Sequence, residues 1–367
     1  MRIVFTGGGT GGHVYPGVEI LKTLKEQSDS SLEYCWLGRL SGPEYAIALQ
    51  EKIPFHAIHS GKLRRYFSLH NVSDIFNTAA GIWDSFWFLR TYKPQVLFSK
   101  GGFVSVPPVI AAHLLHIPVI THESDLDPGL ANRIISRYAQ GICVAYQESA
   151  EQYIRGAKVY VTGNPVRREV LDGNAAEARR RYGIPDHLPV VLVLGGSQGA
   201  LEINNVIWQW AKEGIEGLYI VHQAGEKTFK PIEAKNYRIV KFIGSELKDL
   251  LAAADIVISR AGAGAIGEIA ATGTPMILIP KGLNSTRGDQ IRNADLFEKH
   301  HAAIVLKDAD VTLENLKNTV VLLDGDAAAR RQMADAAKNL IQMGASDAIA
   351  SVLEPYLHGE RRESIWP

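Results

Sequence analysis

Arg2-Ile3-Val4-Phe5-Thr6-Gly7-Gly8-Gly9-Thr10-Gly11-Gly12-His13 decides the fold. It reads as a buried strand, then a tight glycine turn, then the start of a helix. The same grammar returns in the second half. There Val190-Val191-Leu192-Val193-Leu194 runs into Gly195-Gly196-Ser197-Gln198-Gly199. Glycine lets backbone N–H groups come close to a phosphate, and the helix N-terminus that follows favours negative charge. One such turn is weak evidence. Two of them suggest a pair of nucleotide-binding-type domains.

Outward from these turns, short apolar runs alternate with helical patterns. The spacing predicts strands at Ile3–Thr6, Tyr34–Leu37, Val96–Ser99, Val119–His122, Ile142–Ala145 and Val159–Val161. In the second half it predicts Val190–Leu194, Tyr219–His222, Ile239–Phe242, Ile256–Ser259, Met276–Ile279 and Ala303–Leu306. Continuous apolar strands separated by helices indicate α/β architecture, with parallel sheets covered on both faces. The break between halves falls near Gly163-Asn164-Pro165, and the chain beyond about Thr312 reads as helical.

The 367 residues suffice for about two domains, and 46% hydrophobic with 21% charged is an ordinary globular balance. Zero formal net charge gives no general attraction to nucleic acid. Cys35 and Cys143 sit in apolar runs and are expected as buried free thiols, in keeping with a reducing compartment. The N-terminal residues show no signal-peptide pattern, and no stretch approaches the ~20 apolar residues of a spanning helix. A soluble or peripheral, cytoplasmic protein is the expectation.

Dinucleotide folds usually place an acid at the end of the second strand to hold a ribose. Here that strand ends Trp36-Leu37-Gly38-Arg39, and Glu44 comes later, in an expected loop. NAD is therefore disfavoured. In the second half, Ser259-Arg260-Ala261-Gly262-Ala263-Gly264-Ala265-Ile266-Gly267-Glu268 follows a strand. Small residues let this helix start approach a ligand with its N–H groups free, and Glu268 lies within the first turns. Its carboxylate suits the two hydroxyls of a ribose; a solvated helix glutamate is the plainer alternative. Gly273-Thr274-Pro275 and Asp289-Gln290-x-x-Asn293-Ala294 follow.

Together these segments resemble the MurG family of peptidoglycan glycosyltransferases. The resemblance rests on Gly7–His13, Lys100-Gly-Gly-Phe-Val-Ser105, His122-Glu123, Gly163-Asn-Pro-Val-Arg167, Gly195-Gly-Ser-Gln-Gly-Ala200, Arg260 to Glu268, and Gln290-x-x-Asn293-Ala294. They occur in family order over nearly the whole chain. The resemblance implies a GT-B glycosyltransferase fold: two Rossmann-like domains with parallel sheets facing across a cleft. Residues 1–163 would form an acceptor- and membrane-facing domain, 164–340 a UDP-GlcNAc donor domain, and 341–367 a helix returning to the first domain. The implied reaction is inverting transfer of GlcNAc from UDP-GlcNAc to lipid I, forming lipid II. On the donor side, Ser197 and the backbone around Gln198 would hold the diphosphate, with charge from Arg167. Ile243 would frame the uracil. Ala263, Gly264 and Ala265 would present helix-start N–H groups. Glu268 would take the ribose, and Gln290 the sugar. On the acceptor side, Thr10, Gly11, Gly12, Gly101 and Gly102 would approach the lipid-linked diphosphate. His13 and Glu123 compete for the role of general base, for which an imidazole near neutral pKa is well suited.

The chain departs from the family pattern at two acceptor positions. His122-Glu123-Ser124-Asp125 carries a carboxylate where an amide is usual, and Phe103 replaces a common tyrosine. An ionised Asp125 accepts hydrogen bonds but donates none. Many family members also carry a bulkier residue at Gly264. Asp125-Leu126-Asp127 mimics a metal-binding pair, yet helix starts and Arg167 can neutralise a diphosphate alone. No metal and no cofactor are expected.

Asp74 to Arg90 has helical period. Ile75, Phe76, Ala79, Ile82, Trp83, Phe86, Trp87 and Leu89 are expected on one apolar face, with Asp74, Asn77, Asp84 and Phe88 on the polar one. Lys62, Arg64 and Arg65, beside Tyr66 and Phe67, adjoin it. The two readings are a helix packed on its own sheet and an interface with anionic lipid. The family resemblance implies the second, at the cytoplasmic face of the bacterial membrane, with cell-wall synthesis proteins as further partners. Alternative functions are transfer to another lipid acceptor, UDP-GlcNAc 2-epimerisation, and non-catalytic nucleotide-sugar sensing.

Overall fold

The computed structural model describes residues 1–28, 31–61, 70–153, 158–196, 198–282 and 288–359. The chain forms two compact units: Met1–Pro165 with Gln342–Pro367, and Val166–Ile341.

The first unit holds seven strands: β1 (Arg2–Thr6), β2 (Glu33–Gly38), β3 (Phe55–Ala57), β4 (Val96–Ser99), β5 (Val119–Glu123), β6 (Gly141–Val144) and β7 (Lys158–Val161). Their order is β3-β2-β1-β4-β5-β6-β7, and every pairing is parallel. The central strands are buried along their length, so they carry Val, Ile, Leu and Phe rather than an alternating pattern. Phe5 stacks on Trp36 at 5.9 Å, and the Trp36 Nε1–H donates to the Gly7 carbonyl at 3.1 Å. The helix Ala345–Leu357 joins this core through Ile349, Leu353 and Tyr356.

The second unit holds β8 (Val190–Leu194), β9 (Tyr219–Gln223), β10 (Tyr237–Val240), β11 (Ile256–Ser259), β12 (Met276–Leu278) and β13 (Ile304–Val305). The order is β10-β9-β8-β11-β12-β13, again all parallel. Both sheets thus run outward in two directions from a central pair, β1/β4 in one and β8/β11 in the other. At that reversal the loops after the two central strands leave on opposite faces and open a crevice, where α/β folds bind ligands. Three expectations needed adjusting. β3 was not expected, β10 begins two residues earlier than Ile239, and Glu44 lies in the helix Pro43–Gln50 rather than a loop. Cys35 and Cys143 are both buried and free, and burial pushes their thiols up to about 11 and about 12.

The helix His70–Tyr92 splits its expected apolar face. Leu89 is fully buried, together with Ser85 and Gly81, whereas Ile75, Phe76, Trp83 and Trp87 are exposed. Two assignments to the polar face are corrected. Asp84 accepts from His59, at 3.0 Å from the backbone N–H and 2.7 Å from Nδ1. Phe88 stacks between His56 and Tyr92. Gly81 permits the close approach: a Cβ there would stand 1.9 Å from the His59 carbonyl oxygen. Gly81→Ala should therefore lower stability by about 1–3 kcal/mol, although alanine is the better helix former. A thermal melt checks this, and an unchanged or raised Tm would contradict the packing.

Candidate active site

In the first unit, the turns after β1 and β4 meet at the reversal point. Gly11–His13 forms a short 3-10 turn, and the His13 ring lies against Gly102. Gly102 has φ +81°, and a Cβ there would stand 2.8 Å from the Gly8 carbonyl oxygen and 3.1 Å from His13 Nδ1. His13 Nδ1 lies 3.1 Å from that same carbonyl and 3.2 Å from Thr10 Oγ1. A carbonyl only accepts, so the bond to it puts the proton on Nδ1. Nε2 of the neutral ring then carries the lone pair.

Glu44 is fully buried and accepts from Gly9 N–H at 3.0 Å and from Arg39 N–H at 3.1 Å. One amide of the first glycine turn is therefore taken by a carboxylate. Glu123, at the end of β5, is also buried. It accepts from Asp125 N–H at 3.1 Å, Gly129 N–H at 3.3 Å and Asn132 Nδ2 at 2.6 Å. Burial and the Asp125 charge push its carboxyl up to about 7. This geometry braces the loop 125–132 and spends both oxygens on it. The Asn132 side chain in turn packs on Gly101, where a Cβ would lie 2.3 Å from its Oδ1. His122 Nε2 donates to the Gly163 carbonyl at 2.8 Å; burial first, then Lys100, holds this imidazole neutral, well below its usual range. Asp127 accepts from Gln152 Nε2 at 2.7 Å. Among the described residues, no group of three His, Cys, Asp or Glu is placed to hold a metal.

In the second unit, the turn after β8 and the segment after β11 occupy the equivalent place. Ser197 lies outside the described residues; Gln198 is exposed in the turn, ahead of the helix Leu201–Glu213. Ala263, Gly264 and Ala265 form the first turn of the helix Ala263–Thr272, whose N-cap is Gly262, a residue with no side chain to cap it. Nothing lies within 4 Å of a Cβ built on Gly262 or Gly264, so space opens beside these amides. Glu268, one turn on, pairs with Arg167. Arg167 Nε donates to Oε1 at 2.6 Å and Nη2 to Oε2 at 3.0 Å. Gln290 Oε1 accepts from Lys281 N–H at 3.0 Å, and buried Asn293 donates to the Ala261 carbonyl at 3.2 Å, fastening the next helix to this one. Ile243 is buried, its N–H held by Gln223 Oε1 at 2.9 Å.

The Glycosyltransferase family 28 N-terminal domain matches residues 3–144, and the Glycosyltransferase family 28 C-terminal domain matches residues 190–352. The chain belongs to glycosyltransferase family 28.

This family-28 chain is 43% identical to the UDP-N-acetylglucosamine–N-acetylmuramyl-(pentapeptide) pyrophosphoryl-undecaprenol N-acetylglucosamine transferase of Clostridium kluyveri, over 88% of this chain and 91% of that one. It is 44% identical to the enzyme of the same name from Treponema denticola, over 84% of each. Among solved structures, Acinetobacter baumannii MurG matches with a TM-score of 0.72 at 24% identity, covering 96% of this chain and 99% of that one. A Listeria monocytogenes putative UDP-N-acetylglucosamine 2-epimerase has the same fold at a TM-score of 0.71 but 11% identity, covering 99% and 98%. The fold is GT-B.

Sequence reasoning gave no role to Glu44, Asn132, Lys100 or Asn164 of this family-28 chain. Lys100 and Asn164 stood inside the quoted motifs. Glu44 and Asn132 had no local signal, because their partners come from other elements.

Proposed function

We infer that this chain is a UDP-GlcNAc-dependent glycosyltransferase that moves GlcNAc onto lipid I to form lipid II in peptidoglycan synthesis. One observation carries the reading: identity above 40% to curated enzymes of that activity, across most of both chains. The epimerase likeness is one of fold alone.

The geometry supports a division of labour. His13 Nε2 takes the proton from the acceptor hydroxyl as it attacks the anomeric carbon, while Glu123 shapes the loop beside it. The amides of Ala263–Ala265 and the Arg167 guanidinium stabilise the departing UDP, replacing a metal. The Arg167 fork orients Glu268, and each carboxylate oxygen keeps a lone pair for a ribose hydroxyl. Gln290 and Ile243 border the sugar and the uracil. UDP release measured with a short-chain lipid I analogue, with diacylglycerol and without acceptor tests the reading. Release with the lipid I analogue alone is expected. Release without acceptor, accompanied by an epimerised sugar, would favour the isomerase.

The acceptor is lipid-linked, so the enzyme must reach a membrane. No helix among the described residues is long and apolar enough to cross one. The helix His70–Tyr92 supports peripheral docking on an anionic, cytoplasmic membrane face. Phe76 is 71% exposed, Trp83 65% and Trp87 48%, and Arg90 lies over the Trp87 ring. The basic Lys62, Arg64 and Arg65, with Tyr66 and Phe67, lie outside the described residues. Because both tryptophans are exposed, Trp83→Ser with Trp87→Ser should release the protein from anionic vesicles without lowering Tm. Retained sedimentation with the vesicles would exclude this helix as the anchor.

A further inference from the structure

Lys100 is a buried charge that the mechanism above does not use. It follows β4 directly and precedes the Gly101–Gly102 turn, and it is 1% exposed. Three segments meet on it. Its backbone N–H donates to the Thr6 carbonyl at 2.8 Å. The first glycine turn presses on its side chain, where a Cβ at Gly7 would lie 2.9 Å from Lys100 Cβ. Its Nζ donates to Ser124 Oγ, and the Ser124 hydroxyl donates to Asn164 Oδ1 at 2.8 Å. A chain of hydrogen bonds therefore runs from the ammonium through the His122–Asp125 segment to the residue before Pro165.

Removing an ammonium from water is unfavourable, and Lys100 forms no ion pair among the described residues. A methionine would fill the same volume without that penalty. The groups whose charge acts on it are Glu123 on β5, Asp125 beyond that strand, and Cys143 on β6, while the neighbouring His122 is neutral. Asp125 is also where this chain carries a carboxylate in place of the family's usual amide.

We propose that Lys100 is a positioning residue of the transfer reaction: its ammonium fixes Ser124, and through Ser124 it ties the 122–125 segment to Asn164 beside the Gly101–Gly102 turn. This rests on the reading of these segments as the acceptor side. Burial pulls the ammonium down to about 8, with Glu123 and Asp125 opposing the shift. Activity should accordingly fall as pH rises through that region. On the acid side, the Glu123 carboxyl, pushed up to about 7 by burial and opposed by Lys100, must ionise to hold its three donors, so activity rises with pH.

The test is the pH profile of kcat/KM for a short-chain lipid I analogue, measured with the wild type, Lys100→Met and Ser124→Ala, each beside a thermal melt. Lys100→Met should keep or raise Tm and lower kcat/KM about fivefold. It should lose the basic limb and move the acid limb up by about one pH unit, because an opposing charge has gone. Ser124→Ala keeps the charge but removes its acceptor, so the basic limb should move to lower pH. If Lys100→Met fails to fold, the Ser124→Ala shift decides. A folded Lys100→Met with the wild-type profile, or Ser124→Ala with wild-type kcat/KM and limbs, would overturn the proposal. Absence of turnover by the wild type would instead refute the functional reading beneath it.

Discussion

Replacing His13 with alanine should lower kcat by about 10²–10⁴-fold while UDP still binds. The expectation follows from the ring's hydrogen bonds. Nδ1 is committed to the Gly8 carbonyl, so Nε2 is the basic nitrogen. The ring packs where the turns after β1 and β4 meet, against Gly102. Glu123 is the rival base, but three donors already occupy its carboxylate. Glu123→Gln should thus loosen the loop 125–132 and lower Tm, with a smaller loss of turnover. Single-turnover kinetics and UDP titration of both variants separate chemistry from binding. A larger loss of turnover in a well-folded Glu123→Gln, with His13→Ala mild, would move the base to Glu123.

Glu268→Ala should weaken UDP binding at least tenfold. It removes the two charge-assisted acceptors proposed for the ribose, each worth ~1.5–3 kcal/mol. It also strands the Arg167 guanidinium, which loses bonds of 2.6 and 3.0 Å. Some loss of stability in the second unit should accompany the loss of affinity. Glu268→Gln keeps the shape, gives up the charge, and should fall between. Calorimetric titration with UDP provides the measurement, and unchanged affinity in a folded Glu268→Ala would remove Glu268 from the donor site.

The parallel sheets were legible because strands buried on both faces must be apolar throughout, as Val190–Leu194 is. β3 was not: it is three residues long, lies at the sheet edge and carries His56 at its centre. β10 was misplaced because its first residue, Tyr237, is a buried aromatic whose hydroxyl lies 2.7 Å from His222 Nδ1. Hydropathy reads such a tyrosine as ambiguous. The helix His70–Tyr92 shows the same limit from the other side. Its packing face rests on Gly81 and Ser85, small residues without a hydrophobic signature, so periodicity picked out mainly the outward stripe. Buried charges were the least legible feature. Glu44 reads in sequence as a loop residue and Lys100 as part of a motif, and only the fold brings the backbone N–H groups of Gly9 and Arg39, or the hydroxyl of Ser124, to them. The glycine turns and the Gly/Ala helix start were visible because close backbone approach restricts residue type locally.

Inverting displacement joins GlcNAc to a lipid-linked acceptor with reversal of the anomeric configuration. The most direct test is the structure of the product formed from UDP-GlcNAc and a short-chain lipid I analogue, with the new anomeric proton read by NMR. One GlcNAc per acceptor, a β-1,4 linkage and stoichiometric UDP are expected. An α-linked product, or a free epimerised sugar with no disaccharide, would contradict inverting transfer.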